Sequence, residues 1–180
     1  MRVFHWLLVT CFVIAYLLED ERLNLHLLAG SVVLGLVVFR LIWGVMGSRY
    51  SRFSDFACSP KQLIRHLRDL LRLRPDHYAG HTPMGGAMIF VLLGGLLLLT
   101  LSGVLLYGLE NSAAPFAGFM SEQSPAAMIF LERIHGWVAD LLALLALIHV
   151  AGVVVESVLQ KQNLIRAMVT GYKTVRKENE

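Results

Sequence analysis

Seven histidines occur in this chain of 180 residues, and four of them, His5, His26, His135 and His149, fall inside or at the ends of strongly apolar segments. An ionisable side chain in hydrocarbon costs on the order of a few kcal/mol, so such a residue usually faces a partner or a cofactor. His135 and His149 are 14 residues apart in one segment. On a helix this spacing brings them within about 40° of one face and separates them by about 21 Å along the axis. No single metal ion spans that distance, so the spacing suits two sites, one near each end of the helix.

The elements that must carry these histidines are four apolar blocks: 3–18, 23–45, 84–107 and 126–155. Each is long enough, or nearly so, to cross a hydrocarbon core of about 30 Å as a helix. The first is the shortest and resembles a secretory signal. It has only Arg2 ahead of it, no small-residue cleavage site after it, and Glu19, Asp20 and Glu21 at its far end, so it is read as a helix. With 56% hydrophobic and 16% charged residues, the chain is too apolar for a soluble domain of its length. A single membrane domain over 1–180 is expected, with membrane lipid as its solvent.

Charge fixes the expected orientation. The loop 46–83 holds Arg49, Arg52, Lys61, Arg65, Arg68, Arg72 and Arg74, and the tail 156–180 adds Lys161, Arg166, Lys173, Arg176 and Lys177. The other two connections are acidic or nearly free of basic residues. The positive-inside rule then puts both termini and the basic loop in the cytoplasm, with the helices running up, down, up, down as an all-α four-helix transmembrane bundle. The net charge of +3 follows from this topology and gives no reason to invoke nucleic acid. Within the loop, Ser59-Pro60 predicts a helix start, and Leu63, Ile64, Leu67, Leu70 and Leu71 recur at helical spacing opposite Arg65, Arg68 and Arg72. A short helix on the membrane surface is expected there. His66 and His77 are expected to be solvated, and Thr82-Pro83 to cap the third block.

The topology then pairs the histidines by depth. His5 and His149 lie toward the cytoplasmic side, and His26 and His135 toward the outer side. Two imidazoles reaching one iron from different helices fill both axial positions of a haem, which suits electron transfer. A zinc or di-metal site would need three or four converging ligands. Only Cys11 and Cys58 are present and there is no C-x-x-C-H, so haem would be held without thioether links, as haem b.

Other residues are weaker candidates. Arg40, 14 residues after His26, would meet a propionate of the inner haem or reach the headgroups. Gly30 and Gly152, near His26 and His149, would admit a porphyrin or simply a neighbouring helix. His81 would touch a propionate or a quinone head, or pin the start of the third helix. Asp140 is either a proton-handling group or an acid bonded to a neighbouring helix.

Several stretches together carry a family likeness: Arg2-Val3-Phe4-His5-Trp6, His26 with Gly30, Phe39-Arg40-Leu41-Ile42-Trp43-Gly44, Gly47 to Phe53, Gly80 to Gly86, Leu131 to Gly136 with His149, and Ala167 to Lys173. In these the chain resembles the bacterial cytochrome b561 family, in particular the branch with the b-type cytochrome subunit of nickel-iron hydrogenases. Thr82 stands where relatives commonly have asparagine, and four residues precede His5. The resemblance implies a bis-histidine dihaem cytochrome of the bacterial inner (cytoplasmic) membrane, with His5, His26, His135 and His149 as axial ligands. It also implies exchange of electrons between ubiquinone or menaquinone and an outer-face partner, a periplasmic c-type cytochrome or hydrogenase-like enzyme. Two alternatives remain open: a self-sufficient superoxide:quinone oxidoreductase, with Arg22 and Arg133 as the only basic residues at the outer haem, and a haemless membrane anchor. Oligomeric state is not legible.

Overall fold

The computed structural model describes residues 1–19, 22–48, 51–55, 58–71, 82–111, 125–159 and 163–171. These form six α-helices: α1 (Arg2–Leu17), α2 (Leu23–Met46), α3 (Pro60–Leu71), α4 (Pro83–Glu110), α5 (Pro125–Leu159) and α6 (Leu164–Thr170). A 3-10 turn at Phe53–Asp55 lies between α2 and α3, and among the described residues there is no strand.

Three of the helices, α2, α4 and α5, are long and apolar enough to cross a membrane. The fourth apolar helix, α1, has 16 residues and so extends about 24 Å. Within the most apolar stretches of the three long helices only 22%, 28% and 11% is buried against protein. Leu28, Val45, Phe130, Trp137 and Leu147 all point outward. Such a surface needs hydrocarbon around it, and the chain is a membrane protein.

Local sequence sets the helix ends. The Thr82 side chain accepts a hydrogen bond from the Gly85 amide, with Pro83 in the first turn, which opens α4. Ser59 and Gln62 cap α3 reciprocally: the Gln62 amide donates to Ser59 Oγ, and the Ser59 amide donates to Gln62 Oε1. Asn163 accepts from the Arg166 amide to start α6, and Gly171, at φ 86°, ends it in the left-handed conformation that favours glycine.

The core joins α2, α4 and α5 through Val33, Val37, Leu93, Leu96 and Leu142. Lipid is as apolar as leucine, so close packing rather than hydrophobic exclusion holds such helices together. Gly95 shows how: a Cβ there would come within 2.7 Å of Leu142 Cδ2, so the glycine lets the leucine of α5 seat against α4. Helix α1 packs on α2. Phe4 meets Phe39 at one end (ring centroids 6.0 Å), and the Ala15 carbonyl meets His26 at the other.

Helix α3 departs from the sequence reading. Its His66 was expected in solvent, yet it is 1% exposed, with Nε2 3.7 Å from Glu156 Oε1 on α5. Glu156 Oε1 also accepts a 2.8 Å hydrogen bond from Thr82 Oγ1. Helix α3 therefore packs on the start of α4 and the end of α5, turning His66 inward and leaving Ile64 and Leu67 outside. The apolar count along α3 missed this because the group that holds the helix in place is polar.

Candidate haem-ligating histidines

Toward the α1–α2 connection, α2 and α5 bring His26 and His135 together, with ring centroids 6.1 Å apart and ring planes at 66°. His26 Nδ1 lies 2.9 Å from the Ala15 carbonyl. Ala15 is in the last turn of α1, where backbone carbonyls lack partners within the helix. A carbonyl only accepts, so His26 Nδ1 carries the hydrogen, and its Nε2 keeps a lone pair.

His135 reaches the same state by a different route. Its Nδ1 is 2.9 Å from Ser102 Oγ on α4, and that hydroxyl donates its own hydrogen to the Leu99 carbonyl at 2.8 Å. The oxygen must therefore accept from His135 Nδ1–H, which again frees Nε2. Gly103 lets the ring lie against α4, since a Cβ there would stand 3.0 Å from His135 Cε1. Neither Ser102 nor Gly103 had been singled out in the sequence. The available signal was a polar residue beside a glycine in an otherwise apolar helix, a pattern that ordinary helix contacts share.

The other two candidates stand on α1 and α5: His5 in the first turns of α1, and His149 farther along α5 from His135. Both rings are half-buried, and His5 stands edge-on to Trp6 with centroids 5.5 Å apart. His5 Nδ1 is buried and makes no hydrogen bond among the described residues.

The remaining candidates are scattered. Arg40 is 8% exposed and lies inside the protein, with its guanidinium carbon 4.8 Å from the centre of the Phe53 ring. Gly30 is half-buried and Gly152 exposed, and a Cβ added at either would meet no atom within 4 Å. His81 falls outside the described residues, as does His77. Asp140 is bonded to a neighbouring helix: Tyr16 Oη of α1 donates to its Oδ1 at 2.8 Å.

The His26–His135 pair fits haem b. Two imidazoles on opposite sides of one metal ion, with metal–nitrogen bonds of about 2.0–2.1 Å, have ring centres roughly 6 Å apart, the separation seen for His26 and His135. Both rings bond through Nδ1, the arrangement that orients metal-binding histidines. Among the described residues no three His, Cys, Asp or Glu side chains gather as a metal cluster.

An apolar-surfaced helical protein with histidines paired across its helices belongs to the class of membrane haem proteins. The family model described as prokaryotic cytochrome b561 matches residues 1–171, and the chain belongs to that family. It is thus a b-type cytochrome, and haem b is its cofactor. It is also similar to the probable Ni/Fe-hydrogenase B-type cytochrome subunit of Cupriavidus necator, at 25% identity over 174 aligned positions. That match covers 83% of this chain and 66% of the relative, so the chain spans about two-thirds of the relative's length. No solved structure matches it.

Proposed function

We propose that the chain is a dihaem cytochrome that carries single electrons across the bacterial inner membrane, between the quinone pool and a redox protein at the outer face. In this reading α1, α2, α4 and α5 all span as a four-helix bundle, with both termini and α3 in the cytoplasm. His26 and His135 hold the outer haem, and His5 and His149 hold the inner one. Arg40, Gly30, Gly152 and His81 are its candidate contacts to the haems or the quinone.

The observation that carries this proposal is the His26–His135 pair: two imidazoles 6.1 Å apart, each bonded through Nδ1 and each with Nε2 free to ligate. Haem iron held by two imidazoles cycles between oxidation states with little rearrangement. The protein supplies the rest. The end of α1 and a serine of α4 hold the outer imidazoles in one tautomer, and the apolar core of α2, α4 and α5 lies between the levels of His135 and His149. The 14-residue spacing separates those levels by about 21 Å along the axis. The relative, by its name a Ni/Fe-hydrogenase cytochrome subunit, favours a hydrogenase-like redox partner over a free-standing superoxide activity.

The test is electron transfer across a closed membrane. Proteoliposomes containing the chain receive a reduced short-chain quinone outside and enclose cytochrome c. The proposal predicts reduction of the enclosed cytochrome c, abolished by His26→Ala and by His149→Ala. Reduction no faster than in protein-free liposomes would refute it.

A further inference from the structure

Helix α6 occupies a position that the proposed function leaves unused: it ties together the two helices that carry His5 and His149. On the α5 side, the Leu164 amide donates to Ser157 Oγ at 3.1 Å, and α6 packs back on α5. On the α1 side, Arg2 Nη1 donates to the Val169 carbonyl at 3.0 Å, and Trp6 Nε1 donates to the Met168 carbonyl at 3.4 Å. Both carbonyls lie in the last turn of α6, where backbone acceptors lack partners and the helix dipole favours a cation. Gly171 makes the approach possible, because a Cβ there would lie 2.7 Å from the Arg2 guanidinium.

His5 sits between these two anchors in sequence and on the same first turns of α1. It makes edge-on ring contact with Trp6, one of them, and its own Nδ1 has no hydrogen bond among the described residues. A direct tie between α1 and α5, Tyr16 to Asp140, lies at the far end of α1. To the packing of α1 on α2, α6 thus adds a bridge at the His5 end, from Ser157 on one side to Arg2 and Trp6 on the other.

Resting on the dihaem reading above, we infer that α6 is a strap that positions His5 against His149, with Arg2 and Trp6 as positioning residues for the inner haem. They hold α1 in register so that the His5 ring can ligate, the part that the Ala15 carbonyl and Ser102 play at the other site.

The test uses the full chain, purified with its haem as wild type, Arg2→Ala, Arg2→Lys and Trp6→Phe. Haem per chain is measured, and low-temperature EPR separates the two centres, with His26→Ala and His149→Ala assigning each signal. In Arg2→Ala the signal that His149→Ala removes is expected to fall by half or more, while the signal that His26→Ala removes stays. Arg2→Lys still donates to the Val169 carbonyl and should restore it. Trp6→Phe keeps the ring beside His5 but loses the N–H, and should shift that same signal only. Full occupancy and unshifted signals in both Arg2→Ala and Trp6→Phe, or equal loss of both centres, would overturn the strap while leaving the dihaem reading intact. A wild-type chain with fewer than two haems would overturn that reading and the strap with it.

Discussion

Helix α5 supplies one histidine to each pair, with His26 of α2 beside the first and His5 of α1 assigned to the second, yet the two are built differently. At His26 and His135 each ring is bonded directly, one to a carbonyl at the end of α1 and one to a serine of α4. At His5 the ring nitrogen away from ligation is buried without such a bond among the described residues, and the helix around it is held through Arg2, Trp6 and α6. The first site is organised side chain by side chain, and the second by the docking of a helix. Direct orientation of a metal-binding histidine is worth about 10–100-fold in metal affinity for each partner. The His26–His135 site therefore stands ready for a ligand, whereas the His5–His149 site depends on α1 staying in place.

The largest consequence concerns the order of filling. When haem is titrated into the haem-depleted chain, the His26–His135 site should fill first, with an affinity about a hundredfold or more above that of the His5–His149 site, given two orienting bonds against none among the described residues. Equal affinities, read by absorbance and EPR, would erase the distinction between the sites. Next in size is Ser102→Ala, which removes one of those bonds. It should weaken the outer site by about 10–100-fold and leave the inner one unchanged, narrowing the gap from one side. Gly103→Ala should act at the same place more gently. Its Cβ would press on His135 Cε1 from 3.0 Å, and overpacking at the mild end costs about 1 kcal/mol, or roughly fivefold in outer-haem affinity. Smallest is Tyr16→Phe, which removes the hydrogen bond to Asp140. Such bonds in membranes average about 0.6 kcal/mol, so thermal unfolding should occur slightly earlier with both haem signals unchanged. A selective loss of either haem would show that this bond, too, sets a ligand.

What the sequence made legible divides along similar lines. The long apolar helices were readable almost to their ends: block 23–45 corresponds to Leu23–Met46 and block 84–107 to Pro83–Glu110, because hydrocarbon demands an unbroken apolar run and Thr82-Pro83 marks a start. The meeting of His26 and His135 follows from depth, which charge asymmetry and helix length set without any knowledge of packing. The partners of those rings were not readable. The Ala15 carbonyl is a backbone group with no residue type to announce it, and Ser102 accepts only because its own hydrogen is committed to Leu99. His66 is expected in water because it falls in a polar loop, whereas Glu156, itself held by Thr82, draws it inward from an element distant in the chain. In the tail, Asn163 and Gly171 bracket a short helix, although its basic residues were the feature that stood out. Its role lies in the carbonyls it offers to α1, which no periodicity reveals.

Counting haem in the wild type and three variants tests the central claim most directly. A pyridine haemochrome assay on the purified chain should give two b-type haems for the wild type, one for His26→Ala, one for His149→Ala, and none for the double variant. One haem in the wild type, or two retained in either single variant, would contradict the assignment of the four histidines to two separate centres.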